Sequence, residues 1–374
     1  MFDVGRSKRA ERAFAFDDIT IVPSRRTRGE EEVSLQWRID AYIFDFPLLA
    51  APMDSVVSPT TAIRIGQLGG LGVLNLEGIW TRYDDPQPLL EEIIAIDDAV
   101  EATRRMQKIY AEPIKSELIG KRVAQIREAG VPTAGALSPQ NTQAYAQAVV
   151  DSGVDFFVIR GTTVSAEHVS SDLEPLNLKK FIYELDVPVI VGGCATYQTA
   201  LHLMRTGAAG VIIGYGAHLG STTHASLGID VPMATALVDA AAARRDYLDE
   251  TGGRYVHLIA YGDLATGGDI AKALACGADA VMLGEPLAIA AEAPGNGRYW
   301  DATAAHPRVP RAAIVDHALP GEARPSLEEI VTGPTADPTG ERNLFGAVHR
   351  VMGKCGYSTL KEFQKVELIV TGGR

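Results

Sequence analysis

The chain has 374 residues, 46% hydrophobic and 22% charged, so it can bury a large core as one barrel or two domains. Its net charge of −12 comes without a basic stripe, which argues against nucleic-acid polymers as partners. The three cysteines lack metal-ligand or disulfide spacing, and neither a signal segment nor a run of roughly 18 apolar residues is present. We therefore expect a cytoplasmic protein without a metal site or a membrane span.

Eight short apolar runs recur along the chain, and most end in glycine or a small polar residue. They cover residues 46–53, 69–75, 132–137, 155–161, 187–193, 210–216, 255–262 and 278–284. Such runs are typical of parallel strands buried on both faces. Helix-like stretches at 196–206 and 269–276 are each followed by glycine, a frequent helix terminator. Eight alternations of strand and helix predict an α/β fold, the (β/α)8 or TIM barrel.

The barrel pattern predicts one domain over residues 1–374, with its core at about 46–294. The C-terminal part, 295–374, contains a polar, proline-rich stretch at 307–338, which we interpret as an active-site flap, an assembly surface or a plain surface loop. In TIM barrels the chemistry sits on the loops after the strands. The site is therefore expected in the loops that follow Met53, Arg160, Gly193, Gly216, Gly262 and Gly284.

Five segments, in the same order along the chain, are similar to the motifs of one family. They are AFDDITIVP at 15–23, APMDSV at 51–56, GGLGVL at 69–74, AEAPG at 291–295 and GKCGY at 353–357. Together they resemble the IMP dehydrogenase/GMP reductase family, and most closely its bacterial IMP-dehydrogenase-related branch without CBS domains. Residues 85–128 are too few to hold a CBS pair. The resemblance implies a TIM barrel, a purine nucleotide as substrate, NAD(P) as cofactor and a homo-tetramer.

The resemblance implies a catalytic cysteine in the loop after the sixth strand, where this chain has Ser221, followed by Thr223. A serine hydroxyl is a poor nucleophile unless a base lies beside it. His218 and His224 are the candidate bases, although histidines in a polar loop are more often only solvated. Ser221 and Thr223 are the predicted catalytic positions.

The predicted substrate site departs from the family pattern at four positions. Leu219 replaces a phosphate-binding serine, and Tyr261 replaces the carboxylate that holds the ribose. Asp263 and Glu285 stand close to the phosphate position. Two negative charges 4 Å apart repel each other by ~4 kcal/mol near a protein surface, so both carboxylates would oppose a phosphate. The alternative is that both carboxylates point to solvent. The residues that match the family are Met53, Gly216, Gly262 and Gly284.

The predicted cofactor site is altered as well. Arg160 stands where the family has an aspartate beneath the nicotinamide, and Gly192, Gly193 and Cys194 follow the fifth strand. Cys194 is either a remaining candidate thiol at the catalytic rim or a small side chain packed in the core. Residues 300–303 (WDAT) replace a loop that contacts the base. The resemblance implies NAD(P), and these changes leave open that no cofactor binds.

Two functional hypotheses remain open. The chain is either a divergent NAD(P)-dependent oxidoreductase with an altered substrate, such as a purine nucleotide or nucleoside, or a non-catalytic assembly partner of an active relative. In both, a homo-oligomer is expected from the resemblance alone. We expect that IMP oxidation and GMP reduction are lost, because a fold does not fix a function and the nucleophile is replaced.

Overall fold

The computed structural model describes residues 2–168, 176–216, 221–317 and 323–371. Eight parallel strands close into a barrel in chain order: β1 (Leu48–Ala50), β2 (Leu71–Asn75), β3 (Ala134–Leu137), β4 (Phe156–Arg160), β5 (Val189–Cys194), β6 (Gly210–Ile213), β7 (His257–Ala260) and β8 (Ala280–Leu283). Each strand falls on one of the predicted runs, and only β5 extends past its run, by Cys194. The predicted TIM barrel is confirmed.

Helices follow the strands and cover the outside of the barrel. In the described ranges they are α1 (Pro59–Gln67), α2 (Gln87–Ala95), α3 (Ala99–Ile109), α4 (Ser116–Arg127), α5 (Pro139–Asp151), α6 (Leu178–Tyr183), α7 (Tyr197–Met204), α8 (Thr223–Leu227), α9 (Met233–Thr251), α10 (Gly267–Ala275), α11 (Glu285–Ala288), α12 (Leu327–Val331), α13 (Leu344–Lys354) and α14 (Leu360–Phe363). The two helices predicted by name are α7 and α10. Gly207 and Gly277 follow them with φ of +98° and +112°, which glycine adopts without strain.

The amino-terminal end of the barrel is closed by a short antiparallel hairpin of Trp37–Ile39 and Tyr42–Phe44. The Trp37 indole donates to His257 Nδ1 at 3.2 Å, and the Tyr42 hydroxyl donates to Asp155 Oδ1 at 2.6 Å. These contacts fill the bottom of the barrel with side chains. A ligand site is therefore expected at the opposite, carboxyl-terminal end of the strands.

Residues 295–317, here called the cover segment, lie over the carboxyl-terminal end. Arg298–Tyr299 pairs with Val315–Asp316, and Ala312 forms a β-bridge with Ser221. The Thr222 amide donates to the Arg311 carbonyl at 2.7 Å, which fixes the cover segment against the loop after β6. Elsewhere, Leu368–Val370 near the end of the described chain pairs antiparallel with Ile19–Ile21, which precedes the barrel. The single-domain organisation over 1–374 stays a prediction.

None of the helices in the described ranges has the length and apolarity to cross a lipid bilayer.

Candidate functional site

The predicted site lies where the carboxyl ends of the strands open into two adjoining cavities. The first, the β8 cavity, has a volume of about 600 Å³ and covers the ends of β1, β7 and β8. The second, the β3 cavity, has a volume of about 750 Å³ and covers the ends of β2 to β5. Tyr215, Ser221, Thr223 and Tyr261 line both. The two cavities therefore meet at the loop after β6 and the end of β7.

Most of the predicted site residues line one of these cavities. The β8 cavity contacts Met53, Gly262, Asp263, Gly284 and Glu285. The β3 cavity contacts Arg160, Gly193 and Gly216. Gly192 and Cys194 are not in the lining of either cavity. Leu219 and His218 lie outside the described residues.

Ser221 sits at the junction of the cavities without an activating base among the described residues. Its Oγ accepts a hydrogen bond from the Thr223 amide at 3.3 Å. Among the described contacts, His224 makes no hydrogen bond to Ser221: the His224 Nδ1 lies 4.0 Å from Asp230 Oδ2, and its side chain is 77% exposed. A hydroxyl placed in this way keeps its proton at neutral pH and is a weak nucleophile.

Arg160, Tyr261 and Asp301 form one buried network. The Arg160 guanidinium forms an ion pair with Asp301, donates to the Tyr261 hydroxyl at 3.0 Å and lies 4.8 Å from the Tyr261 ring centroid. The Arg160 and Asp301 side chains are only 16% and 6% exposed. Burial disfavours the charge on Arg160, but Asp301 and Tyr261 more than offset it, so the pKa of Arg160 is raised. Arg160, Tyr261 and Asp301 each differ from the family pattern, and they contact one another.

Tyr261 also occupies space against the loop after β6. A Cβ on Gly216 would lie 2.7 Å from Tyr261 Cε1, and Gly216 has a φ of +71°. The pKa of the Tyr261 phenol is raised, first by burial and then by Asp301, although Arg160 opposes the shift. The phenol therefore stays protonated and acts as a fixed wall between the cavities rather than as a base.

Asp263 and Glu285 both line the β8 cavity. The pKa of Asp263 is raised to about 6, first by partial burial and then by the surrounding carboxylates Asp230, Asp269, Asp17 and Glu285. Asp263 is nevertheless open to the cavity, and its backbone φ is +53°. Asp263 is exposed, as the solvent-facing alternative expects, whereas Glu285 is partly buried.

Glu285 contacts the cover segment. Its Oε1 lies 3.1 Å from His317 Nε2, and His317 stacks on Tyr299 with ring centroids 5.3 Å apart. The pKa of His317 is raised by Glu285, against the lowering effect of burial. This contact joins the loop after β8 to the end of the cover segment.

Cys194 is fully buried, and its thiol lies 3.7 Å from the Ile212 carbonyl. Burial raises the pKa of Cys194 to about 12. A thiol so far from ionisation is a poor nucleophile. Gly192, two residues before it, packs against β6, where an added Cβ would meet the Ile212 carbonyl at 2.5 Å. Both residues serve the packing of β5 against β6.

Three charged residues in or next to the cavities, Asp54, Arg82 and Arg311, were not singled out from the sequence. Asp54, from the APMDSV segment, is fully buried, and its pKa is raised to about 6 by burial although Tyr110 and the Ile79 amide donate to it. The motif could have indicated Asp54. Arg82 and Arg311 line the β3 cavity without any motif that marks them. Within the described ranges, no three histidines, cysteines or carboxylates are grouped to hold a metal ion.

The comparisons with known proteins agree with this architecture. A model of the IMP dehydrogenase / GMP reductase domain matches residues 13–305. An uncharacterized oxidoreductase of Mycolicibacterium smegmatis is 56% identical over 99% of this chain and 100% of its own length. A second, from Mycobacterium tuberculosis, is 55% identical over the full length of both chains.

More distant and structural relatives point the same way. The inosine-5'-monophosphate dehydrogenase of Methanocaldococcus jannaschii is 24% identical over 95% of this chain and 92% of its own. The crystal structure of an IMP dehydrogenase/GMP reductase-like protein from Corynebacterium glutamicum superposes with a TM-score of 0.94 and 49% identity, covering 99% of this chain and 97% of that one.

Proposed function

Because the chain belongs to the IMP dehydrogenase/GMP reductase family, we propose that it is an oxidoreductase relative that no longer oxidises IMP or reduces GMP. Its site instead binds a different small molecule. The observation that carries this proposal is the network of Arg160, Tyr261 and Asp301. These side chains satisfy one another at positions where the resemblance implies contacts to ribose and nicotinamide.

The covalent step of the family reaction lacks its nucleophile. Ser221 accepts only a backbone hydrogen bond within the described residues, and Cys194 is buried with a raised pKa. Neither group supplies the thiolate that the family chemistry implies.

The binding of a nucleotide phosphate is also disfavoured. The resemblance implies that this phosphate would lie near Asp263 and Glu285, which both line the β8 cavity. The pKa of Asp263 is raised first by burial and then by the carboxylates Asp230, Asp269, Asp17 and Glu285, and these carboxylates oppose an incoming dianion. Each charge-assisted hydrogen bond that is lost costs on the order of 1.5–3 kcal/mol, so several losses remove micromolar affinity.

NAD(P) does not fit these residues in the manner that the resemblance implies. An oxidised nicotinamide ring is positively charged, and the family aspartate beneath it is here the cationic Arg160. Asp301 is close, but its charge is already matched by Arg160. No hydride step follows from this arrangement. If the chain is a divergent oxidoreductase, its cofactor must bind differently, and if it binds no cofactor, it acts as a non-catalytic assembly partner.

The proposal is tested with IMP. Calorimetry should detect no micromolar binding, and absorbance at the NADH wavelength should not rise with IMP and NAD. Ser221→Ala is the control for adventitious activity. Steady NADH formation by the native protein that is lost in Ser221→Ala would overturn the proposal.

A second experiment separates the nucleophile from the binding contacts. Ser221→Cys alone should give no turnover, because positioning can supply roughly 7–11 kcal/mol of a reaction barrier and the substrate is not positioned. The comparison is a variant that adds Leu219→Ser, Tyr261→Asp, Asp263→Gly and Glu285→Ser. Clear turnover by the single variant would show that the binding contacts are intact.

Tetramer formation and cytoplasmic location stay predictions, and light scattering tests the tetramer.

A further inference from the structure

The β3 cavity contains more positive charge than its own carboxylates neutralise. Its lining carries three guanidinium groups, from Arg82, Arg160 and Arg311, and two carboxylates, from Glu77 and Asp301. Asp301 is paired with Arg160. The Glu77 carboxylate accepts hydrogen bonds from the Ser138 amide and from Asn141 Nδ2 at the start of α5. Neutral donors do not cancel the charge of Glu77, so three guanidinium groups face two carboxylates and one positive charge is in excess in the lining.

Arg82 is oriented without being neutralised. Its Nε donates to the Glu77 carbonyl at 2.8 Å, and its Nη1 donates to the Glu112 carbonyl. Carbonyl oxygens hold the guanidinium plane in place, but they carry no net charge. Among the described residues, Arg82 has no carboxylate within ion-pair distance.

Arg311 has an unsatisfied donor. Its backbone is fixed on both sides, since its amide donates to Thr303 and its carbonyl accepts from Thr222. Among the described residues, its buried Nε has no hydrogen-bond partner. Arg311 nevertheless lines the β3 cavity, so an anion that enters the cavity gains a charge partner in its guanidinium group.

We propose that the β3 cavity binds a small anion, a carboxylate or a phosphate, through Arg311 with the support of Arg82. The cavity volume of about 750 Å³ accommodates an organic molecule around this group. Thr162 and Thr163 line the same cavity, and their hydroxyls are candidate neutral donors. This inference goes beyond the proposed function, because it holds whether or not the protein is an enzyme.

The charge of the β8 cavity determines which of the two cavities such a ligand occupies. The β8 cavity is lined by Asp17, Asp230, Asp263, Asp269 and Glu285. An anion is therefore repelled from the β8 cavity and attracted to the β3 cavity. This polarity is the reverse of what the family resemblance implies, where the phosphate lies at the ends of the seventh and eighth strands.

The test uses inorganic phosphate and acetate as probes, with choline as a cation of opposite charge, all at constant ionic strength so that screening does not change. Calorimetry and thermal unfolding of the native protein should report binding of at least one anion and none of choline. If only phosphate or only acetate binds, that result identifies which anionic group the cavity prefers. If neither phosphate nor acetate binds, the proposal is overturned.

Variants locate the binding. Arg311→Gln should weaken anion binding by about tenfold or more, as expected for one charge-assisted contact. Arg311→Lys keeps the charge without the planar fork and should be intermediate. Asp263→Asn, in the other cavity, should leave anion binding in place. Both proteins should be folded by circular dichroism. Equal anion binding by Arg311→Gln and the native protein would then refute the assignment of the site to Arg311. That result would not bear on the IMP assays, which test the proposed function separately.

Discussion

Replacing Asp301 by asparagine tests the buried network directly. The change keeps the shape of the side chain but removes the charge that faces Arg160. Because the two side chains are only 6% and 16% exposed, the ion pair is a buried one. Removing one partner of such a pair costs ~3–5 kcal/mol, since the other charge stays buried. Arg160 keeps its 3.0 Å hydrogen bond to Tyr261, so we expect the lower end, about 3 kcal/mol.

The assay is urea unfolding followed by tryptophan fluorescence, which reports on Trp37, on Trp80 and on Trp300 beside Asp301. A lower midpoint with an unchanged slope means a loss of stability rather than a change in the unfolded state. Glu250→Gln is the matched control, because it removes a carboxylate from the exposed pair of Arg205 and Glu250 and should change little. If Asp301→Asn shifts the midpoint no more than Glu250→Gln does, the network does not stabilise the site.

Three further predictions concern separate parts of the site. Ser221→Cys should add one thiol that reacts quickly with Ellman's reagent, whereas the three buried native cysteines should react only on unfolding. Gly214→Ala should destabilise more than Gly228→Ala: both have positive φ, of +112° and +67°, but only at 214 would the Cβ meet a backbone oxygen, at 2.1 Å. Equal midpoints in urea would contradict this. The pKa of His317 is raised in the folded protein, so its contact stabilises below the ordinary value of about 6.5 and is lost as pH rises through the raised pKa. An NMR titration that gives His317 an ordinary or lowered pKa would refute the contact.

The barrel could be predicted because its signal is local. A strand buried on both faces needs an apolar run of a few residues, and each run is visible without knowledge of its neighbours. All eight strands were found in this way, together with α7 and α10. The loops that carry the site follow from the same pattern, because parallel strands place their carboxyl ends together.

The contacts within the site could not be predicted in this way. Arg160 and Tyr261 are 101 residues apart, and Arg160 and Asp301 are 141 residues apart. From the sequence each substitution reads as the loss of a family contact, and only the fold shows that they compensate one another. Arg311 is a similar case, because its place in the β3 cavity depends on the path of the cover segment.

The compensation has a consequence for any attempt to restore the family residues. Arg160→Asp alone would place a second carboxylate beside Asp301. It would also remove the guanidinium cation, so that neither carboxylate would have a positive partner. Like charges in a buried site disfavour ionisation of both groups, so this variant should be strongly destabilised. Asp301→Gly made in the same chain removes the repulsion and should recover part of that loss.

Groups in one network couple by 0.5–3 kcal/mol, and a double-mutant cycle measures that coupling. The cycle compares Arg160→Asp, Asp301→Gly and the double variant by urea unfolding. We expect the double variant to be more stable than the sum of the two single losses predicts. Additive losses would mean that Arg160 and Asp301 act independently. The site would then have departed from the family pattern by unrelated changes rather than by replacement of one set of contacts with another.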